Sequence, residues 1–554
     1  MTQVDEVLDM IPMGFFHYRL LVLTGLAFMA DAMEVSLLAF LSQCAGADWN
    51  LSSGEMASIT SSVFMGELVG GIFFGPLADK YGRKVTYLAA CSLISIAGVA
   101  SGGSPNLGTL ITLRAIVGFG VGGLTVPFDL LAEFLPAEHR GQVLLCIEYF
   151  WTLGSLFVAG MAWIIVDDGG WRMLTYITAI PVIVASLISI VWLPESPRWL
   201  VEQGRLQEAT DELNLAAEVN GTPLPPYVLV TAEKMQKRHE SNASAMVGRT
   251  RVSMNDNASS SDSKRDPESP PVTSPSGAAP TAAGAPEGTA ASRAAEDADN
   301  FFKVYLELLN DVYRGISLPL WLVWFSFGVS YYGIILFVTR LYTTNDDDGD
   351  DDSAGSCSFD YADIFLNASM EIVGLFIATT IVDRYGRVFT QGSGYAGAAV
   401  GVLIMGWGLS KGGMIAFAML ARGAIMCASC GTWVHTPELY GDDCRATAHS
   451  ASNVVARLGA LLSPFIVQSD LSIGVVGFVL SIFNVMALMG TLMLPETNGM
   501  DLEGFDKAPG LFKNPVMDKL LSICGGRGGN EGAYLLRNDR SDAHVTTSSS
   551  LPSS

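Results

Sequence analysis

Apolar runs of about twenty residues recur along this chain, separated by short polar segments. Twelve can be marked: residues 17–42, 56–78, 85–104, 107–131, 141–165, 171–193, 316–338, 361–382, 388–410, 412–434, 446–468 and 471–493. Each is near the ~20 residues a helix needs to cross a bilayer. Backbone in lipid must satisfy its own hydrogen bonds, so the runs predict membrane-spanning helices. The sixth and seventh runs are far apart. Within the gap, residues 241–299 contain no Phe, Tyr, Trp, Leu or Ile. Such a segment cannot bury enough apolar surface to fold and predicts a disordered linker. The chain therefore divides into a segment 1–16, a bundle 17–194, a central loop 195–315, a second bundle 316–495 and a tail 496–554.

The two bundles carry the same landmarks in the same order. Asp79-Lys80-Tyr81-Gly82-Arg83 returns as Asp383-Arg384-Tyr385-Gly386-Arg387. Glu133 and Arg140 return as Glu438 and Arg445, and Pro194-Glu195-Ser196 returns as Pro495-Glu496-Thr497. A matched set about 305 residues apart marks a duplicated unit. Parallel duplication of six-helix halves is one way transporters are built. The fold class expected is an all-α membrane protein of twelve helices in two pseudo-symmetric six-helix bundles. Asp79, Arg83, Glu133 and Arg140, with Asp383, Arg387, Glu438 and Arg445, sit at turns on one side of the membrane. A carboxylate there can pair with an arginine and face the positive N-terminus of a neighbouring helix. Such clusters are expected to hold the halves together on that side, as a latch on one state of an alternating-access cycle.

These residues resemble the major facilitator superfamily. Gly75-Pro76-Leu77-Ala78-Asp79 through Lys84 is similar to its loop 2–3 signature. Arg114 through Gly123 resembles the fourth-span pattern of its sugar-porter and organic-ion branches, and Pro194 through Leu200 their end-of-span-6 signature. Gly14 through Arg19, with Ala30-Asp31-Ala32-Met33-Glu34, looks closest to the synaptic vesicle 2-related proteins; niacin and organic ion transporters are similar. The resemblance implies the major facilitator fold, two bundles around a central cavity, and leaves the solute open.

Composition supports a membrane protein: 50% of residues are hydrophobic and 16% charged, against roughly 25% charged in soluble domains. The net charge of −23 argues against nucleic acid as a partner. With the N-terminus inside, the inner short loops hold Lys80, Arg83, Lys84, Arg140, Arg384, Arg387 and Arg445, and the outer ones hold Arg172, Arg340 and Lys411. This asymmetry predicts both termini in the cytosol. The membrane could be the plasma membrane or that of an endosome or vesicle. Cys44 and Cys357 both fall in outer loops, where pairing is open to them, although loops on one side need not come within bonding distance. Leu535 and Leu536, after Glu531, fit an acidic dileucine signal read by sorting adaptors. No nucleotide loop, nucleophile elbow or metal-ligand set is present, so neither cofactor, metal nor enzymatic activity is expected.

Charges inside the membrane are costly and are functional candidates by default. At a rise of ~1.5 Å per residue, Asp31 and Arg114 reach the same depth, so they are expected to pair. In proton-coupled sugar porters an Asp and an Arg occupy similar places. That resemblance makes Asp31 the proton carrier and Arg114 its partner, with Glu34 adding a surplus negative charge. Glu67 and Glu371 lie near mid-membrane, as do Arg422 and Arg457. Arg457 can hold a carboxylate in a bidentate fork, which favours a small organic anion entering with a proton. Tyr331, Tyr332 and Trp433 are candidate cavity walls, and Asn453 stands one turn before Arg457. The function expected is proton-coupled symport of a small organic solute. The alternatives are a vesicle or endosomal protein with a binding or trafficking role, or an organic cation or sugar facilitator.

Overall fold

The computed structural model describes residues 4–136, 140–229, 308–310, 313–343, 357–407, 409–440 and 445–498. The linker 241–299, the acidic run 346–352 and the tail with Leu535 and Leu536 lie outside the described residues. So do the side chains of Arg140 and Arg445.

A short helix, Val4–Asp9, precedes the first span, Phe15–Trp49. The second span is Ser53–Tyr81, the third Arg83–Gly102, and the fourth begins as Leu107–Val121. The fourth tightens into a 3-10 turn at Gly122–Thr125 and resumes as Val126–Phe134. One 46-residue stretch, Ile147–Trp192, then bends at Gly170, whose φ of 66° breaks the helix. It supplies the fifth and sixth spans. The central-loop helices Pro197–Glu202 and Leu206–Val219 follow. The seventh to twelfth spans are Arg314–Leu341, Tyr361–Tyr385, Arg387–Met405, Lys411–Glu438, Arg445–Val467 and Ile473–Met493. Eleven described helices are long and apolar enough to span a bilayer. The bend at Gly170 makes twelve passages of them.

Local chemistry sets the helix ends. Glu55 accepts from the Ser52 N–H at 2.8 Å and from its hydroxyl at 2.7 Å, closing a capping box at the start of the second span. Asn106 accepts from the Thr109 N–H at 3.0 Å and caps the fourth. Packing between spans uses small residues, as expected where lipid tails give no hydrophobic drive to association. A Cβ on Gly118 would lie 2.0 Å from the Val63 carbonyl oxygen, so the second and fourth spans touch backbone to backbone. The second bundle repeats this: a Cβ on Gly374 would lie 2.1 Å from the Gly423 carbonyl. Ile164, Leu187, Val191 and Phe376 are exposed on the outside of the bundle, as lipid-facing side chains are.

The first span packs along the fifth and the third along the sixth. The halves meet where the second span lies on the eleventh and the fifth on the eighth. At one end of the spans the halves are tied repeatedly. Gln468 donates to Ser42 at 2.6 Å, Tyr361 donates to Asp167 at 2.7 Å, and Ser53 bonds Asp470. Cys44 and Cys357 form a disulfide there, with Cα atoms 5.0 Å apart. Cys44 is not in a loop: the first span continues to Trp49 and stops only where Asn50 turns left-handed at φ 53°. This is the disulfide end; the other is the motif end.

The candidate transport site

Arg114 and Arg422 lie buried inside the molecule and Arg457 is nearly so, and each has found at least one carboxylate. Arg457 of the eleventh span donates to Glu67 at 2.5 Å, to the Tyr332 hydroxyl at 2.8 Å and to Asp31 at 2.9 Å. Glu67 and Asp31 belong to the first half, Arg457 and Tyr332 to the second. The side chain of Glu67 is 0% exposed and that of Asp31 5%, so this ion network bridges the halves in a dry setting. Nearby the Ser61 hydroxyl donates to the Leu461 carbonyl at 3.0 Å, across the same seam.

Arg114 does not pair with Asp31 as its depth suggested. It donates to Glu34 at 2.6 Å and also bonds the Ser101 hydroxyl. Depth fixes a level and leaves direction open. Three residues along a helix turn a side chain by about 60°, enough to aim Glu34 into its own bundle and Asp31 at the other. Arg422 pairs with Glu371 at 2.9 Å, and Tyr331 donates to the same Glu371 oxygen at 2.8 Å. Asn453 is half-buried and makes no hydrogen bond among the described residues.

Aromatic rings line the seam below these networks. Trp151 meets Phe28 at 5.6 Å and Tyr331 at 5.8 Å between centroids. Trp433 meets Phe28 at 6.1 Å, Phe128 at 6.0 Å and Trp324 at 5.3 Å. Toward the disulfide end a small cavity lies between the halves, lined by Ser36, Phe40, Ser155, Ala159, Asn367 and Arg422 among others. His435 is satisfied, bonding Gln391 at 2.8 Å and the Pro495 carbonyl at 2.9 Å.

At the motif end the repeated residues form two matching networks. Arg83 pairs with Asp79 at 2.7 Å and Glu133 at 3.3 Å. Arg387 pairs with Asp383 at 3.1 Å and Glu438 at 2.9 Å. All of these partners lie in the arginine's own bundle. The contact between halves expected of these residues is not made among the described residues in this conformation. Nor is it Asp79 that faces a helix N-terminus. Glu195 accepts from the Arg83 and Lys84 N–H groups at 2.8 and 3.3 Å. Glu496 accepts from those of Arg387 and Val388 at 2.8 and 3.0 Å. A carboxylate on free N–H groups at a helix start is favoured by hydrogen bonding and by the helix dipole. Gly82 and Gly386, at φ 100° and 96°, leave room: a Cβ would come within 2.3 and 2.4 Å of those carboxylates. The sequence reading noted the Pro-Glu repeat without giving its glutamates a role; the repeat itself was the available signal. On the Leu206–Val219 helix, burial raises the Glu212 carboxyl above its ordinary range, where it accepts from the Glu195 N–H at 3.4 Å.

Two tandem bundles, joined across a seam of buried charge and sealed at one end, define a membrane transporter of the two-bundle kind. The chain belongs to the Major Facilitator Superfamily, whose family model matches residues 20–464. It is a multi-pass transporter and not an enzyme. The organic cation/carnitine transporter 7 of Arabidopsis thaliana is 30% identical, over 84% of this chain and 87% of its own. The Synaptic vesicle 2-related protein of Rattus norvegicus is 28% identical, over 90% of this chain and 82% of its own. The niacin transporter NiaP of Acinetobacter baylyi is 27% identical, over 83% and 88%. Among solved structures, the inward open xylose transporter XylE from E. coli superimposes with a TM-score of 0.61 at 17% identity, over 89% of this chain and 99% of its own. That likeness concerns the fold.

Proposed function

We propose that this transporter moves a small organic solute by alternating access and couples the movement to a proton. The observation that supports this is the Asp31–Arg457–Glu67 network. One guanidinium in the second half holds two carboxylates of the first, so the trio carries a surplus negative charge. A proton on either carboxylate removes that surplus and one arm of the tie across the seam. Proton binding and separation of the halves are thereby linked.

The polarity of the solute follows from a charge count. Asp31, Glu34, Glu67 and Glu371, with Glu148 in the first turn of the fifth span, stand against Arg114, Arg422 and Arg457 among the described charges inside the bundles. Carboxylates exceed guanidiniums by two. The organic anion read from the sequence needed an open Arg457 fork, and that fork is already occupied. A cationic solute, or a proton with a neutral one, suits the site better. The names of the relatives give organic cation, carnitine and niacin as solutes.

Disulfides persist in oxidising compartments, so we assign the Cys44–Cys357 end to the outside or to a vesicle lumen. Both termini are then cytosolic, in agreement with the basic loops. Similarity to Synaptic vesicle 2-related proteins favours residence in a vesicle membrane, with Leu535 and Leu536 as the adaptor signal. Replacing both leucines with alanine should move the protein to the cell surface; unchanged distribution would rule the signal out. The transport reading is tested by uptake into proteoliposomes under an imposed pH gradient, screening organic cations, nicotinate and sugars. Gradient-driven uptake that stops with Asp31→Asn is expected. Uptake indifferent to the gradient would refute coupling.

A further inference from the structure

Arg340, read from the sequence as an outer-loop cation, stands half-buried in the last turn of the seventh span. Among the described residues its guanidinium bonds two backbone carbonyls, that of Val467 and, at 3.0 Å, that of Leu471. Val467 ends the eleventh span and Ile473 begins the twelfth, so Arg340 bridges the two sides of the turn between them. The last carbonyls of a helix lack partners within it and carry its negative end. A guanidinium presents its donors in a rigid fork and can serve two carbonyls at once, whereas an ammonium is a point charge. The Asp470 carboxylate, within the turn, is the charge that acts on Arg340.

The turn belongs to the second half, yet it holds the first. Gln468 donates to the Ser42 hydroxyl of the first span at 2.6 Å, both side chains being buried, and Asp470 accepts from Ser53 at the start of the second. The turn's own bonds leave its far side loose. The Gln468 N–H reaches the Pro464 carbonyl at 2.8 Å and the Ser469 hydroxyl reaches the Ile466 carbonyl at 2.7 Å, both back toward the eleventh span. On the other side the Leu471 N–H meets the Ser469 hydroxyl only at 3.4 Å. Arg340 fastens that side. The Cys44–Cys357 bond nearby is covalent and stays through any motion. Opening at the disulfide end is therefore governed by the hydrogen bonds that can break, and two of these come from the turn that Arg340 holds.

We propose that Arg340 is a positioning residue for closure at the disulfide end. It clamps the 467–471 turn so that Gln468 and Asp470 meet Ser42 and Ser53 together, and it thereby sets how often that end opens. All its own bonds lie within the second half, so its effect on the first half passes through the turn alone. This rests on the alternating-access part of the reading above and not on the solute or the proton.

The test is a spin-label distance measurement across the disulfide end, by double electron–electron resonance on the full-length protein in lipid nanodiscs. Every cysteine except Cys44 and Cys357 is replaced by serine, and labels are placed at Gly54→Cys in the first half and Gly412→Cys in the second. Both positions are exposed, with open space where a Cβ would stand. Arg340→Ala should raise the population of the longer, open distance roughly threefold to tenfold, the worth of one or two hydrogen bonds. Arg340→Lys, which keeps the charge but cannot fork to both carbonyls, should fall between. Ser53→Ala with Gln468→Ala should open the end to a similar degree, and Arg340→Ala should add nothing to that pair. An unchanged distance distribution in Arg340→Ala, even with a lowered thermal unfolding midpoint, would show a merely structural role and overturn the proposal. So would an equal further opening when Arg340→Ala is added to the pair. The two readings fail separately. Gradient-driven uptake with no change of distance in Arg340→Ala sinks the clamp and leaves coupled transport standing. Opening in Arg340→Ala without any response of uptake to the gradient does the reverse.

Discussion

Neutralising Asp31 and Glu67 singly and together should give strongly non-additive losses of stability. In the structure one guanidinium serves both carboxylates, at 2.9 and 2.5 Å. Asp31→Asn or Glu67→Gln removes one charged arm, and a hydrogen bond to a charged group is worth about 1.5–3 kcal/mol. The same substitution ends the repulsion between two carboxylates crowded on one arginine, and the new amide still accepts a hydrogen bond. Each single variant should therefore lose only about 1 kcal/mol. The double variant leaves Arg457 charged and without a counterion in a dry seam, a loss of about 3–5 kcal/mol. The coupling between the sites is then about 1–3 kcal/mol. The assay is a double-mutant cycle of denaturation in nanodiscs, with Arg457→Leu added to the double variant as the rescue. Removing the stranded charge should restore most of the loss. Additive losses, or no rescue, would show that the three groups do not act as one network.

Gly82→Ala and Gly386→Ala should each destabilise, by about 1–3 kcal/mol from the positive φ alone and further by pushing Glu195 or Glu496 off its two N–H groups; a thermal unfolding midpoint within a degree of wild type would refute this. In a maleimide-polyethylene glycol shift assay, reduction should add two adducts to the wild type and none to Cys44→Ser, whose Cys357 is already free; equal labelling before and after reduction would mean no disulfide. Burial raises the Glu212 carboxyl, so its protonated form is the one the fold favours. Its contribution is largest below the unfolded pKa and is lost as pH rises through the folded one. Limited proteolysis of the Leu206–Val219 helix should accelerate with pH in the wild type and not in Glu212→Gln. A slope unchanged by that substitution would assign it to another group.

The twelve passages were legible because membrane helices announce themselves by length and apolarity, one residue at a time. The same reading gave the depth of each buried charge. Pairing was not legible, since it depends on the direction a side chain takes around its helix and on which helix lies opposite. Arg114 and Arg457 are alike in sequence, yet one closes inside its bundle on Glu34 and the other reaches across to Asp31. The Pro-Glu repeat was visible, but the N–H groups its glutamates bind are backbone and leave no trace in residue type. Cys44 was misplaced into a loop because Gly46, Ala47 and Asp48 weaken the apolar signal without ending the helix. Only the left-handed Asn50 does that.

The disulfide sets a limit on motion that can be stated as a length. Cys357 lies four residues before the eighth span begins at Tyr361, and Phe359 is laid against Thr343 as a β-bridge. With the bridge intact, the cross-link fastens the first span almost directly to the second half. If the bridge peels away, those four residues can pay out at most about 14 Å of extended chain. The protein thus carries a leash across its disulfide end. The stroke of its cycle on that side is bounded by a count of residues, and lengthening the leash by a few glycines would change the stroke without touching the site.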